Sequence, residues 1–71
     1  MMYEVWDTET FNRVGAFPTQ NEAEAFLADV LRENGPEVAA EMAIVGYPDA
    51  GAAPVMILDG AAFIAKQRVS A

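Results

Sequence analysis

The chain of 71 residues contains no cysteine and no histidine. Without cysteine no disulfide can staple the fold, and without either residue the usual structural zinc ligands are missing. Serine occurs once, at Ser70, so nucleophilic triads built on Ser/His or Cys/His pairs are excluded. Cations are scarce too: Arg13, Arg32, Lys66 and Arg68 stand against eleven acids, for a formal net charge of −7. A nucleic-acid binder needs cations to displace phosphate counterions, and four scattered ones form no basic stripe. Gly15, Gly35, Gly46, Gly51 and Gly60 lie too far apart for a phosphate-cradling loop. Long hydrophobic runs are also lacking. The longest strongly apolar one, Val55 to Leu58, falls far short of the ~20 residues that span a bilayer. Met1-Met2-Tyr3-Glu4 has no basic start leading into an apolar stretch, so no signal peptide is indicated and the cytoplasm is the expected compartment.

What remains is a single small domain, 1–71, with an apolar fraction of 54% that its many alanines inflate. A chain this short buries only roughly 60% of the surface its unfolded form exposes. With disulfides and zinc excluded, self-association is the remaining common source of extra stability. The excess of acid keeps such a domain soluble. Residues 60–71 carry only positive side chains, whereas all the acids precede them.

Met2 to Asp7 is rich in strand formers, and Arg13 to Phe17 can pair back onto it across the polar Thr8-Glu9-Thr10-Phe11. With Asp7 opposite Asn12, strict alternation predicts Tyr3, Val5, Val14 and Ala16 on one face of this hairpin. Met2, Glu4, Trp6, Arg13 and Phe17 then share the other. Thr19 followed three residues later by Glu22 forms a capping box, and Ala23, Phe26, Leu27, Val30 and Leu31 recur at helical period, with Glu22, Asp29, Arg32 and Glu33 facing water. Asn34-Gly35-Pro36 ends that helix. Pro36 also suits the first position of one further turn, Glu37 to Glu41. Met42 to Tyr47 and Pro54 to Leu58 read as a second hairpin joined by the loop Pro48 to Pro54, and Asp59 is placed to cap a short final helix, Ala61 to Val69, whose Lys66 and Arg68 suit its negative end. The expected fold class is α+β in ββα-ββα order: an antiparallel sheet of about four strands, with one long and one short helix packed on one face. Glu4, Glu22, Glu24, Glu37 and Glu41 read as solvated positions. Trp6 and Arg13 are placed to stack across the hairpin.

One motif suggests chemistry. Val5-Trp6-Asp7-Thr8-Glu9-Thr10 resembles the first motif of the DEDD family of 3′–5′ exonucleases, and the resemblance implies a metal-dependent hydrolase with Asp7 and Glu9 as ligands. On an extended strand these two side chains would point the same way. The family's further aspartates and its histidine or tyrosine have no counterparts. Asp29 falls on the solvent side of a helix, Asp49 in a loop and Asp59 at a cap, and Thr10-Phe11-Asn12 stands where the family continues T-T-G. The reading preferred for Asp7, Thr8, Thr10 and Asn12 is local turn chemistry, with their side chains hydrogen-bonding the nearby backbone. Over a longer stretch, Tyr3 to Leu31 together with Leu58 to Phe63 resembles a group of short proteins of high-GC, actinobacterial-type bacteria, in which a D-T-E-T-x-N hairpin precedes an E-A-rich helix; no activity comes with that resemblance. The ββα opening is similar to HicB-type antitoxins, without their glycine-cysteine segment.

Two helices of this size cannot cover both faces of the sheet. Met2, Trp6 and Phe17 are therefore the expected interface residues on an uncovered apolar face. The expected function is non-enzymatic: a small acidic protein-interaction module, homo-oligomeric or bound to a larger protein, with no cofactor and no metal. The alternatives are the hydrolase using Asp7 and Glu9 and an acidic, antitoxin-like inhibitor of a basic site.

Overall fold

The structure, a computed structural model, describes residues 2–48 and 53–70, without the side chains of 68–70. Asp49 and most of its loop, and the Arg68 side chain, lie outside the described residues. The order is β1 (Met2–Asp7), β2 (Asn12–Phe17), α1 (Gln20–Asn34), α2 (Pro36–Ala40), β3 (Met42–Tyr47), β4 (Val55–Asp59) and α3 (Gly60–Ser70). The four strands form one antiparallel sheet in the order β2-β1-β3-β4, so the fold is α+β. Three helices rather than two accompany it, because Pro36 starts α2 as a separate turn of five residues after Gly35 closes α1. Gly35 has φ +89°, a conformation that favours glycine, and its N–H donates to the Leu31 carbonyl at 3.0 Å.

The helix starts are fixed locally. Thr19 Oγ1 accepts the Glu22 amide at 3.2 Å, and Asp59 Oδ1 accepts the Ala62 amide at 2.7 Å. The apolar stripe of α1 then faces the sheet: Ala23, Leu27 and Val30 are buried and join Val5, Met42, Ile44, Ala39 and Phe63 in one core. Val5, Met42 and Ile44, the strand residues of that cluster, lie on one side of the sheet, while Ala43, 1% exposed, lies on the other. Glu24, read from sequence as solvated, is instead half-buried, and Lys66 Nζ donates to its Oε1 at 2.6 Å, tying α3 to α1.

The hairpin register corrects one expectation. β1 and β2 pair Asp7 with Asn12 and Trp6 with Arg13, but Val5 then meets Gly15, leaving Val14 as the extra residue of a β-bulge. Beyond the bulge every residue of β2 changes side. Ala16 now lies with Glu4, and Phe17 lies opposite Tyr3 on the helix-covered side, where its ring packs against Phe26 with centroids 5.3 Å apart. Phe17 therefore does not share a face with Met2 and Trp6. A second register shift lies on β3 between Ile44 and Val45, with Ile57 as the extra residue of β4. Because Val5 and Ile44 are cross-strand partners, a two-fold axis through that pair carries one bulged hairpin onto the other.

Candidate functional site

The helices cover only the Val5, Ile44 and Met42 side of the sheet. The opposite side carries Met2, Glu4 and Trp6 from β1, Arg13 and Ala16 from β2, Ala43, Val45 and Tyr47 from β3, and Met56 and, at its end, Asp59 from β4. Its outer apolar groups are well exposed, Met2 at 45% and Met56 at 60%. At its centre stands a single carboxylate, Glu4, whose side chain is only 12% exposed.

Three donors from three places in the chain converge on that carboxylate. Trp6 Nε1 donates to Oε1 at 3.0 Å, Arg13 Nη1 donates to Oε2 at 2.9 Å, and the Tyr47 hydroxyl forms a further hydrogen bond. Alternation puts Glu4 and Trp6 on one side of β1, register sets Arg13 across from Trp6, and β3 brings Tyr47 opposite Met2. Burial alone would raise the Glu4 carboxyl, but the hydrogen bonds from Arg13, Trp6 and Tyr47 and the Arg13 charge outweigh it and hold the carboxyl below its ordinary value. The same hydrogen bond to Glu4, helped by burial and the carboxylate charge, raises the Tyr47 phenol. Trp6 and Arg13 thus meet at a shared acceptor, where the sequence suggested that one would stack on the other. Glu4, read as solvated, is the organising charge of this face, and no signal local to its segment of sequence pointed to that role.

Asp7 and Glu9 are placed differently. Asp7 Oδ1 accepts the amides of Glu9 at 2.9 Å and Thr10 at 3.3 Å, closing the hairpin turn. The Thr8 amide and Oγ1 each donate to the Glu41 carbonyl at 2.7 Å, fastening the turn to the α2–β3 junction, and Asn12 Nδ2 donates to Thr10 Oγ1 at 3.0 Å. Turn chemistry therefore uses Asp7, Thr8, Thr10 and Asn12. Among the described residues no three acids are grouped so as to hold a metal ion.

No protein-family model matches the chain, and no curated protein and no solved structure matches it either.

One other surface feature is a groove of about 520 Å³, open to solvent and lined by Phe17, Pro18, Glu22, Ala25, Phe26 and Asp29. It lies at the α1 and β2 side of the molecule, away from the Glu4 cluster. Among the described residues no helix is long and apolar enough to cross a membrane.

Proposed function

We propose that this chain is a small protein-interaction module whose working surface is the open face of its sheet, with Met2, Trp6, Val45 and Met56 as the apolar contacts. The observation that carries the reading is the state of Glu4. A carboxylate facing only water needs no partners, yet this one is held by Arg13, Trp6 and Tyr47 from its own face. A pre-satisfied carboxylate is what lets a face be covered by apolar matter without orphaning a charge, a cost that otherwise defeats burial. Trp6 combines a large ring with a donor that is already satisfied, which suits the centre of an interface. Phe17, turned into the helix side, takes no part.

The hydrolase alternative is weakened because Asp7 Oδ1 is already engaged by two backbone amides. The acidic-inhibitor alternative would use the other side of the molecule, where α1, α2 and the residue after them carry Glu22, Glu24, Asp29, Glu33, Glu37 and Glu41.

Photo-crosslinking in the native host separates these surfaces. A benzoylphenylalanine at position 56 is expected to yield a covalent adduct, and one at position 38, on α2, is expected to yield none. An adduct at position 38 alone would shift the reading to the acidic helix side, and no adduct at position 56 would overturn the proposal.

A further inference from the structure

Resting on that reading of the open face, we infer that its occupant is a second copy of this chain, docked face to face as an isologous sandwich of two four-stranded sheets. Three observations on the molecule converge on this occupant.

The first is electrostatic. Two copies each carrying −7 repel each other over most of their surfaces. The acids are not evenly spread. Six lie on α1, α2 or the residue that follows, Asp7 and Glu9 belong to the hairpin turn, and Asp59 is turned to cap α3. On the open face Arg13 balances Glu4, and Asp59, in register with Ala43 at the end of β4, accepts the Ala62 amide; Asp49 lies outside the described residues. Sheet-to-sheet docking keeps the acidic helix layers outermost, with both sheets between them. Helix layer and sheet are each ~10 Å apart from the next layer, so the two acidic surfaces are separated by more than the Debye length of about 10 Å at 0.1 M salt. Docking through the helix layers would instead oppose the six acids of α1, α2 and position 41 at short range.

The second is size. The molecule measures 35 × 27 × 16 Å, and the thin dimension is that of two layers. Four strands of five or six residues, ~4.8 Å apart and rising ~3.4 Å per residue, make an open face of roughly 400 Å², the size of a weak, concentration-dependent interface of under ~600 Å² per partner. A smaller occupant would leave part of the face wet, whereas an identical face matches it in extent by construction.

The third is composition. The face has adaptable Met2 and Met56 at its periphery and small Ala43 and Ala16 among the larger Trp6, Val45 and Tyr47. Alternating large and small groups are what two aligned sheets need to interdigitate at ~10 Å separation. Among the described residues no side-chain nitrogen or oxygen that is already buried lacks a partner, and on this face Glu4 is bonded to Trp6 and Arg13.

The test is sedimentation velocity on the full chain from about 1 µM to about 1 mM, a range that brackets weak and strong homodimers. The wild type is expected to sediment as a dimer at the upper end. Met56→Glu puts an unpaired charge on the face. Because Met56 is 60% exposed, the variant should keep its far-ultraviolet circular dichroism while its dimerisation weakens by at least ~10-fold. Val38→Glu, on the helix side, should leave the dimer constant unchanged. A wild type that is monomeric throughout, or a folded Met56→Glu variant that dimerises as well as the parent, would overturn the inference. If the wild type is monomeric while the crosslinker at position 56 still captures another protein, the second copy is wrong and the interaction module stands. If position 56 captures nothing, both fall.

Discussion

Replacing Gly60 by alanine tests the tightest contact in the helical layer. A Cβ built on Gly60 would lie 1.9 Å from the Ala39 carbonyl oxygen and 2.9 Å from both the Ala39 carbonyl carbon and the Ala40 Cα. Ordinary contacts of this kind are 3.4–4 Å, and all three obstructing atoms belong to backbone, so no side chain can rotate away. To admit the methyl group, α2 and α3 must separate by roughly 1.5 Å, and overpacking of this kind costs ~1–3 kcal/mol. Separation would also open the seam over Phe63 and Ala39, which are 1% and 0% exposed. Lost burial adds about 1 kcal/mol at ~25 cal/mol per Å² for some 40 Å² uncovered. Alanine's better helix propensity returns less than ~1 kcal/mol, since Gly60 is the first residue of α3. The net loss is ~2–3 kcal/mol, which for a domain of this size lowers the melting temperature by at least ~10 °C. Gly35→Ala is the contrast. Nothing lies within 4 Å of its Cβ position, so only backbone strain is incurred, ~1–3 kcal/mol at φ 89° and ψ 170°, a region essentially restricted to glycine. Thermal unfolding followed by circular dichroism should therefore show a loss for both, steric at Gly60 and conformational at Gly35. Equal melting temperatures for Gly60→Ala and the parent would refute the close α2–α3 approach.

Thr19→Ala should lose about 1 kcal/mol by removing the acceptor of the Glu22 amide, and an unchanged urea midpoint would show that the cap contributes nothing. Phe11 sits at φ +60° with 80% of its surface exposed, so Phe11→Asn should stabilise the fold by about 1 kcal/mol; a lower urea midpoint would mean that the ring makes a contact worth more than the strain. The folded pKa values of Glu4 and Glu24 lie below 4.5, Glu24 chiefly through its hydrogen bond from Lys66. Both therefore stabilise the fold above pH 4.5, and that contribution is lost as the pH falls through their folded values; urea midpoints measured downward from pH 6 should fall, with a shallower fall in Glu24→Gln. Because Asp7 Oδ1 is held in the turn, manganese titration followed by NMR should show no saturable site at Asp7 and Glu9 in the micromolar range, and a tight site abolished by Asp7→Asn would restore the hydrolase reading.

The sequence by itself determined whatever depends on neighbours along the chain. The stripe from Ala23 to Leu31 specifies α1 because its period is a property of consecutive residues, and the caps at Thr19 and Asp59 close over three residues. The turn from Asp7 to Asn12 is legible for the same reason. The bonds of Asp7 and Thr10 span two or three residues, although the anchoring of Thr8 to Glu41, 33 residues away, is not. The tertiary structure alone decided the faces. Strict alternation placed Phe17 beside Trp6, but the bulge at Val14 arises from the fit of β2 against β1, so one unpaired residue reversed the side of everything beyond it. Likewise, the order β2-β1-β3-β4 brings Tyr47 to Glu4 and makes a lone, apparently solvated acid the centre of a hydrogen-bonded face, while packing of α3 on α1 does the same for Glu24 through Lys66, 42 residues away. Local hydrogen bonds and periodicity are written into adjacent residues; which surfaces meet, and which carboxylates lose their water, follows from contacts that exist only once the sheet has assembled.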